Sequence, residues 1–144
     1  ICCDLSHLND KSFFAAIEQA EYPIASHSNC RAVCDVKRNL TDEQLKLIAQ
    51  RNGIIGLCFY TKFLGGDTVE RLYENICHMA ELGLEDNIAV GSDFDGAETE
   101  APVRSLDGVP ALYKALNEKG IGKAMLDKIF YLNAQNYFDK TASV

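Results

Sequence analysis

The sequence predicts an α/β chain built on a parallel sheet. Three observations carry this expectation. Four short apolar, strand-like segments recur along the chain, each is followed by residues with helical periodicity, and the connections are short. At 144 residues, 47% apolar and 24% charged, the chain has the size and composition of one globular domain.

Residues 1–7 read as a buried strand ending at His7. Asn9-Asp10-Lys11-Ser12 then starts a helix in which Phe13, Phe14, Ile17 and Ala20 form one apolar face, stopping near Pro23. Residues 23–27 are a second apolar segment. A polar stretch follows through Arg38 and Asn39, after which Thr41 is placed to cap a new helix, with Gln44 at the capping-box position and Leu45, Ile48 and Ala49 as its buried stripe. Asn52-Gly53 ends it. Residues 54–60 form a continuous apolar run, suited to a parallel strand covered on both faces. After a loop at Gly65-Gly66-Asp67, a helix uses Val69, Leu72, Ile76, Met79, Ala80 and Leu82, with Gly83 as its stop. Residues 87–93 make the fourth strand. Two helices, over 108–119 and 123–138, finish the chain.

An open doubly wound sheet and a piece of a (βα)8 barrel both fit this alternation. His7, His27 and Asp93 each fall at the C-terminal end of a strand, where both folds bind ligands. No Gly-x-Gly-x-x-Gly turn follows the first strand, and no internal repeat is present.

A net charge of -7 without a lysine or arginine cluster argues against a nucleic-acid or anionic-membrane surface. No apolar run reaches the roughly 18 residues that span a bilayer. The six cysteines (Cys2, Cys3, Cys30, Cys34, Cys58, Cys77) lie mostly in apolar stretches, which favours a reducing, cytoplasmic compartment. The apolar opening Ile1-Cys2-Cys3-Asp4-Leu5 suggests the interior of a longer chain.

Several side chains could carry chemistry. Imidazoles from His7 and His27, on adjacent parallel strands roughly 5 Å apart, can converge on one metal ion, and each can equally be a loop histidine satisfied locally. Asp93 and Asp95, around Phe94 and before Gly96, can supply a general base or simply form a turn. Arg38 can clamp a carboxylate with two hydrogen bonds or lie solvated on the surface. Cys30 and Cys34 lack a second matching pair, so buried thiols fit better than a zinc site. His78 lies on a helix and reads as structural. Serine catalysis fits poorly, because no Gly-x-Ser-x-Gly elbow accompanies the Ser-His pairs.

In order and spacing, Asp4-Leu5-Ser6-His7, Pro23-Ile24-Ala25-Ser26-His27-Ser28-Asn29, Lys37-Arg38-Asn39-Leu40-Thr41-Asp42 and Gly91-Ser92-Asp93-Phe94-Asp95-Gly96 resemble the membrane dipeptidase family. The resemblance covers residues 1 to about 138. It implies a metal-dependent (βα)8 barrel that hydrolyses dipeptides, some with a C-terminal D-residue, using two zinc ions bridged by a glutamate. By motif match, His7 and His27 hold the second zinc, Arg38 binds the substrate's terminal carboxylate, and Asp93 is the acid/base. Residues 1–144 would then be a single partial domain carrying strands five to eight, the C-terminal half of the barrel.

The family's His-x-Asp pair, its bridging glutamate and a further substrate-contacting histidine belong to the first half and have no counterpart here. The His7–His27 interval is one residue shorter than usual, and the closing Gly-Asn-x-x-Arg pattern reads Leu132-Asn133-Ala134-Gln135-Asn136. A half-barrel exposes two sheet edges, so the missing half, or self-association, is an expected partner beside the dipeptide. A non-catalytic half-barrel assembly module and another amidohydrolase-type metal hydrolase are the competing expectations.

Overall fold

The computed structural model describes residues 1–142, so the last two positions of the expected 1–144 domain lie outside the described residues. Four strands, β1 (Cys3–Asp4), β2 (Pro23–Ala25), β3 (Ile54–Cys58) and β4 (Ile88–Ser92), form one sheet in the order β1-β2-β3-β4, every neighbouring pair parallel. Each strand therefore lies beside its predecessor. A doubly wound sheet reverses its strand order at a switch point, and these four strands contain no reversal.

β1 is shorter than the expected 1–7. The ladder continues through the Leu5 amide to Ile24 O (2.8 Å), but at Ser6 and His7 the chain turns out of the sheet. His7 has φ +69°, which ends strand geometry. The first helix, α1 (Asp10–Gln19), is capped as expected, Asn9 Oδ1 accepting from the Ser12 amide. The second, α2 (Asp42–Gln50), carries the full capping box: Thr41 Oγ1 accepts from the Gln44 amide while Gln44 Oε1 accepts from the Thr41 amide.

Two features were not expected. A one-turn helix, α3 (Thr61–Leu64), follows β3, and Gly65, at φ +75°, closes it before α4 (Thr68–Glu81). After α5 (Val109–Glu118), the final helical stretch is not uniform. It runs as α6 (Lys123–Asp127), a π-helical turn over Lys128–Leu132, and α7 (Asn133–Ala142). Hydropathy periodicity over 123–138 does not distinguish a π turn from a regular one.

Alternating strand residues feed two clusters, as the two-residue side-chain period requires. Ala25, Ile55, Leu57 and Ile88 join the main core with Phe13, Ile17, Leu45, Ile48, Leu72, Ile76, Met79 and Leu112 from the helices. Burial of each large apolar side chain contributes about 1.5–3 kcal/mol, so this layer dominates the fold's stability. The opposite face holds the smaller cluster of Ile54, Ala89 and Tyr137, with Cys2, Tyr22, Ile24 and Ala134 against it. Thus α7 covers the N-terminal ends of the strands on that face. Asn133 anchors it there, its Nδ2 donating to Glu85 O and Ile88 O, both at 2.8 Å. Above α7 the face carries an open groove of about 220 Å³ lined by Ile24, Ser26, Ile54, Gly56, Ala89 and Gly91 among others.

Candidate functional site

The C-terminal ends of β1, β2 and β4 bring His7, His27 and Asp93 together. His7 and His27 direct their Nε2 atoms at each other across 2.9 Å, with ring centroids 4.9 Å apart and planes inclined by 59°. Asp93 Oδ1 stands 4.0 Å from His27 Nε2, and the other carboxylate oxygen faces the Cys58 thiol at 3.9 Å. Three residues of this rim hold left-handed backbone: His7 (φ 69°), Ser92 (φ 51°) and Asp93 (φ 72°). Such conformations cost about 1–3 kcal/mol each and persist where surrounding structure enforces them. Here the Asp93 amide bonds Gly91 O at 2.8 Å while Asp93 O accepts from the amides of Gly96 and Ala97.

Arg38 reaches the same rim from the loop before α2. One terminal nitrogen donates to Ser28 Oγ (3.0 Å), the other to His27 O (2.9 Å), and the guanidinium lies 5.4 Å from the Phe63 ring centroid. Its Nε is buried without a partner. The loop is held by buried amides: Asn29 pairs twice with the Cys58 backbone (3.0 and 3.1 Å), and Asn75 Oδ1 accepts from the Cys30 amide (2.7 Å).

Burial pushes the His27 imidazole below its ordinary pKa. Asp93 opposes this, and Arg38 and His7 reinforce it. Desolvation also lowers Arg38, with Cys58 and Asp93 opposing, and raises the Cys58 thiol to about 11. The site therefore sets two imidazoles beside a carboxylate. That donor set suits a borderline-soft divalent ion.

The spacing also fits. With Zn–N bonds of about 2.0–2.1 Å, two nitrogens on one tetrahedral ion stand roughly 3.3 Å apart, so the 2.9 Å pair needs to open by only a few tenths of an ångström. Facing imidazole nitrogens can share only one hydrogen between them, whereas a common cation engages both lone pairs. The two rings alone do not make a metal site: among the described residues, no group of three or more His, Cys, Asp or Glu could hold a metal ion.

Asp95 is exposed and does not join the cluster. His78 is tied to Asp42 Oδ1 at 2.7 Å, the structural role its helix position suggested. Cys30 and Cys34 are free, as are the other four cysteines. No helix among the described residues is long and apolar enough to cross a membrane.

Asp4 and Ser26 sit behind His27, and the sequence reading assigned them no role. Ser26 Oγ lies 2.6 Å from Asp4 Oδ2 and 2.7 Å from His27 Nδ1, while Asp4 Oδ1 accepts from the amides of Ser6 (3.0 Å) and Ser26 (3.2 Å). Burial raises the Asp4 carboxyl, but the Ser26 hydroxyl and the two amides outweigh it and hold the group below its ordinary value. The serine stands between acid and imidazole, which is not the order of a serine-hydrolase triad. Two glycines fix its backbone: a Cβ on Gly56 would lie 2.1 Å from Ser26 O, and one on Gly91 2.0 Å.

Comparison with known proteins agrees with this architecture. The profile of the membrane dipeptidase family (peptidase family M19) matches residues 1–144. The chain is 34% identical over 138 residues to the Klebsiella pneumoniae "uncharacterized protein in pqqA 5'region", covering 90% of this chain and 51% of that protein. It is 32% identical over 139 residues to dipeptidase ataJ of Aspergillus terreus, covering 90% and 33% respectively. In structure it is similar to a metallo peptidase from Rhodobacter sphaeroides crystallised with a phosphinate mimic of the dipeptide L-Ala-D-Ala. That match has a TM-score of 0.89 and 34% identity, over 96% of this chain and 42% of that one. The chain thus spans about half or less of the length of these relatives. Matched along its whole length, it belongs to the membrane dipeptidase family, peptidase family M19.

Proposed function

We propose that this chain is the C-terminal half of a (βα)8-barrel metallo-dipeptidase, carrying one side of its metal centre. The observation that carries the proposal is the convergence of His7 and His27 Nε2 at 2.9 Å beside Asp93, in a chain of a dipeptidase family. The barrel reading draws support from the unreversed strand order and from the relatives' roughly double length. In this reading the preceding half-barrel pairs with the free edges of β1 and β4, closes over the groove, and brings the remaining metal ligands.

His7 and His27 would hold a zinc ion through Nε2, and the dipeptide would lie across the strand ends. When bound, zinc supplies Lewis acidity toward the peptide carbonyl and makes a water nucleophile available near neutral pH. Asp93 Oδ1 accepts the proton of the attacking water and delivers it to the departing amine. Its second oxygen stays near the Cys58 thiol. Arg38 binds the substrate's terminal carboxylate with the fork hydrogens that Ser28 and His27 O leave unused. Phe63 and the bonds to Ser28 and His27 O hold that fork in place before substrate arrives, which reduces the ordering cost of binding.

The test is hydrolysis of simple dipeptides by the full-length protein with zinc removed and restored. Metal-dependent turnover that disappears in His27→Ala is expected. The isolated 144-residue chain should bind zinc weakly and hydrolyse no dipeptide. Metal-dependent activity of that chain alone, lost on His27→Ala, would overturn the half-site reading.

A further inference from the structure

We infer that Asp4 and Ser26 are positioning residues that set the tautomer of His27, placing its ring proton on Nδ1 and leaving the Nε2 lone pair for a metal ion. The inference rests on the metal-site reading above, and it follows from counting hydrogens. Asp4 Oδ1 already accepts from the Ser6 and Ser26 amides, and an ionised carboxylate can only accept. At 2.6 Å from Asp4 Oδ2, Ser26 Oγ must therefore spend its single hydrogen on the carboxylate. The bond between Ser26 Oγ and His27 Nδ1, at 2.7 Å, can then run in only one direction, Nδ1–H to Oγ. Ser6 Oγ, 3.4 Å from Ser26 Oγ, is left as a donor to it, which completes the accounting.

Three features make this a built arrangement. Ser26 O occupies a notch between Gly56 and Gly91 that any side chain there would fill. The His27 amide reaches Ser6 Oγ at 3.3 Å, so the backbone is tied to the turn after β1 while the ring is tied through Ser26 to Asp4 in β1. Asp4 and Ser26 lie 22 residues apart, joined only because β1 and β2 pair in parallel register. Metal-ligating histidines commonly donate their second N–H to an outer partner, and losing that partner costs about 10–100-fold in metal affinity.

Asp4→Asn gives the sharpest consequence. An asparagine can keep its oxygen toward the two amides while its NH2 donates to Ser26 Oγ. The serine's own hydrogen is then released from the carboxylate, and His27 Nδ1 at 2.7 Å is a nearer acceptor than Ser6 Oγ at 3.4 Å, so the ring proton moves to Nε2 and the lone pair leaves the metal side.

The experiment uses the full-length protein with 15N-labelled histidine. Long-range 1H–15N spectra of the zinc-free protein report the His27 tautomer, and chelator competition reports zinc affinity. The variants are Asp4→Asn, Ser26→Ala and His27→Ala, with circular dichroism checking folding. The parent should show His27 as the Nδ1–H form. Asp4→Asn should convert it to Nε2–H, Ser26→Ala should mix the two, and both should lose about 10–100-fold in zinc affinity while remaining folded. An unchanged tautomer and affinity in folded Asp4→Asn, with affinity lost in His27→Ala, would overturn the relay alone. Full zinc affinity in folded His27→Ala would instead overturn the metal-site reading itself.

Discussion

Gly56→Ala tests how tightly the sheet holds the site. The added Cβ would stand 2.1 Å from Ser26 O and 2.8 Å from Gly91 Cα, whereas real Cβ atoms essentially never come under 3.0 Å. Both obstacles are backbone, so no rotamer change relieves them, and β2 must move away from β3. That movement stretches the 2.6 Å bond from the Ser28 amide to Gly56 O. Overpacking costs about 1–3 kcal/mol and one backbone hydrogen bond about 1 kcal/mol, so a loss of about 2–4 kcal/mol is expected. This is a large share of an ordinary domain's 5–15 kcal/mol or so. Ser26 moves with its carbonyl, so His27 loses its support as well. Chemical denaturation of the full-length protein, with zinc content measured on the folded fraction, should show a lower midpoint and less bound metal. A variant within about 0.5 kcal/mol of the parent and fully zinc-loaded would refute the claim that strand packing positions His27.

Thr41→Ala removes the side-chain half of the α2 capping box and should cost about 1 kcal/mol by the same denaturation assay. Arg38→Lys keeps the charge but loses the two-pronged fork, so kcat/KM for a dipeptide should fall about 10–100-fold, mainly through KM. Cys30 and Cys58, whose thiols burial raises to about 12 and about 11, should resist iodoacetamide at pH 8 until the protein unfolds, as peptide mass mapping would record. Asp10 is held below its ordinary pKa chiefly by hydrogen bonds from Arg31. Its contribution is therefore complete above the unfolded value, near 3.9, and fades as pH falls through the lower folded value. The stability gap between parent and Asp10→Asn should narrow accordingly below about pH 4.

Much of the scaffold was legible because local signals and tertiary packing agree. Residues 54–60 read as a strand covered on both faces, and all five residues of β3 are buried. Thr41 and Gln44 announced α2 through a short-range hydrogen-bond pattern that survives in the fold. His7, His27 and Asp93 stood out because polar groups ended apolar strands, and the structure brings those three together with Arg38.

What escaped depends on distant partners. Asp4 reads locally as a polar residue within the buried strand at 1–7, and Ser26 as a neighbour of His27. Their pairing exists only through the parallel register of β1 with β2. Gly56 lies unremarked inside the apolar run 54–60, and only the position of Ser26 O, 30 residues earlier in the chain, explains it. The π turn at Lys128–Leu132 directly precedes Asn133, whose bonds to Glu85 O and Ile88 O no helical periodicity encodes. Asp95 shares the apparent motif with Asp93 but is exposed, since the left-handed turn at Ser92 and Asp93 directs only one carboxylate to the histidines.

The central claim is that His7 and His27 share one metal ion. Anomalous diffraction at the zinc edge from crystals of the zinc-loaded, full-length protein tests it directly. The account predicts a peak within bonding distance, about 2.0–2.1 Å, of both Nε2 atoms. Zinc bound elsewhere, with the two imidazoles still hydrogen-bonded to each other, would contradict it.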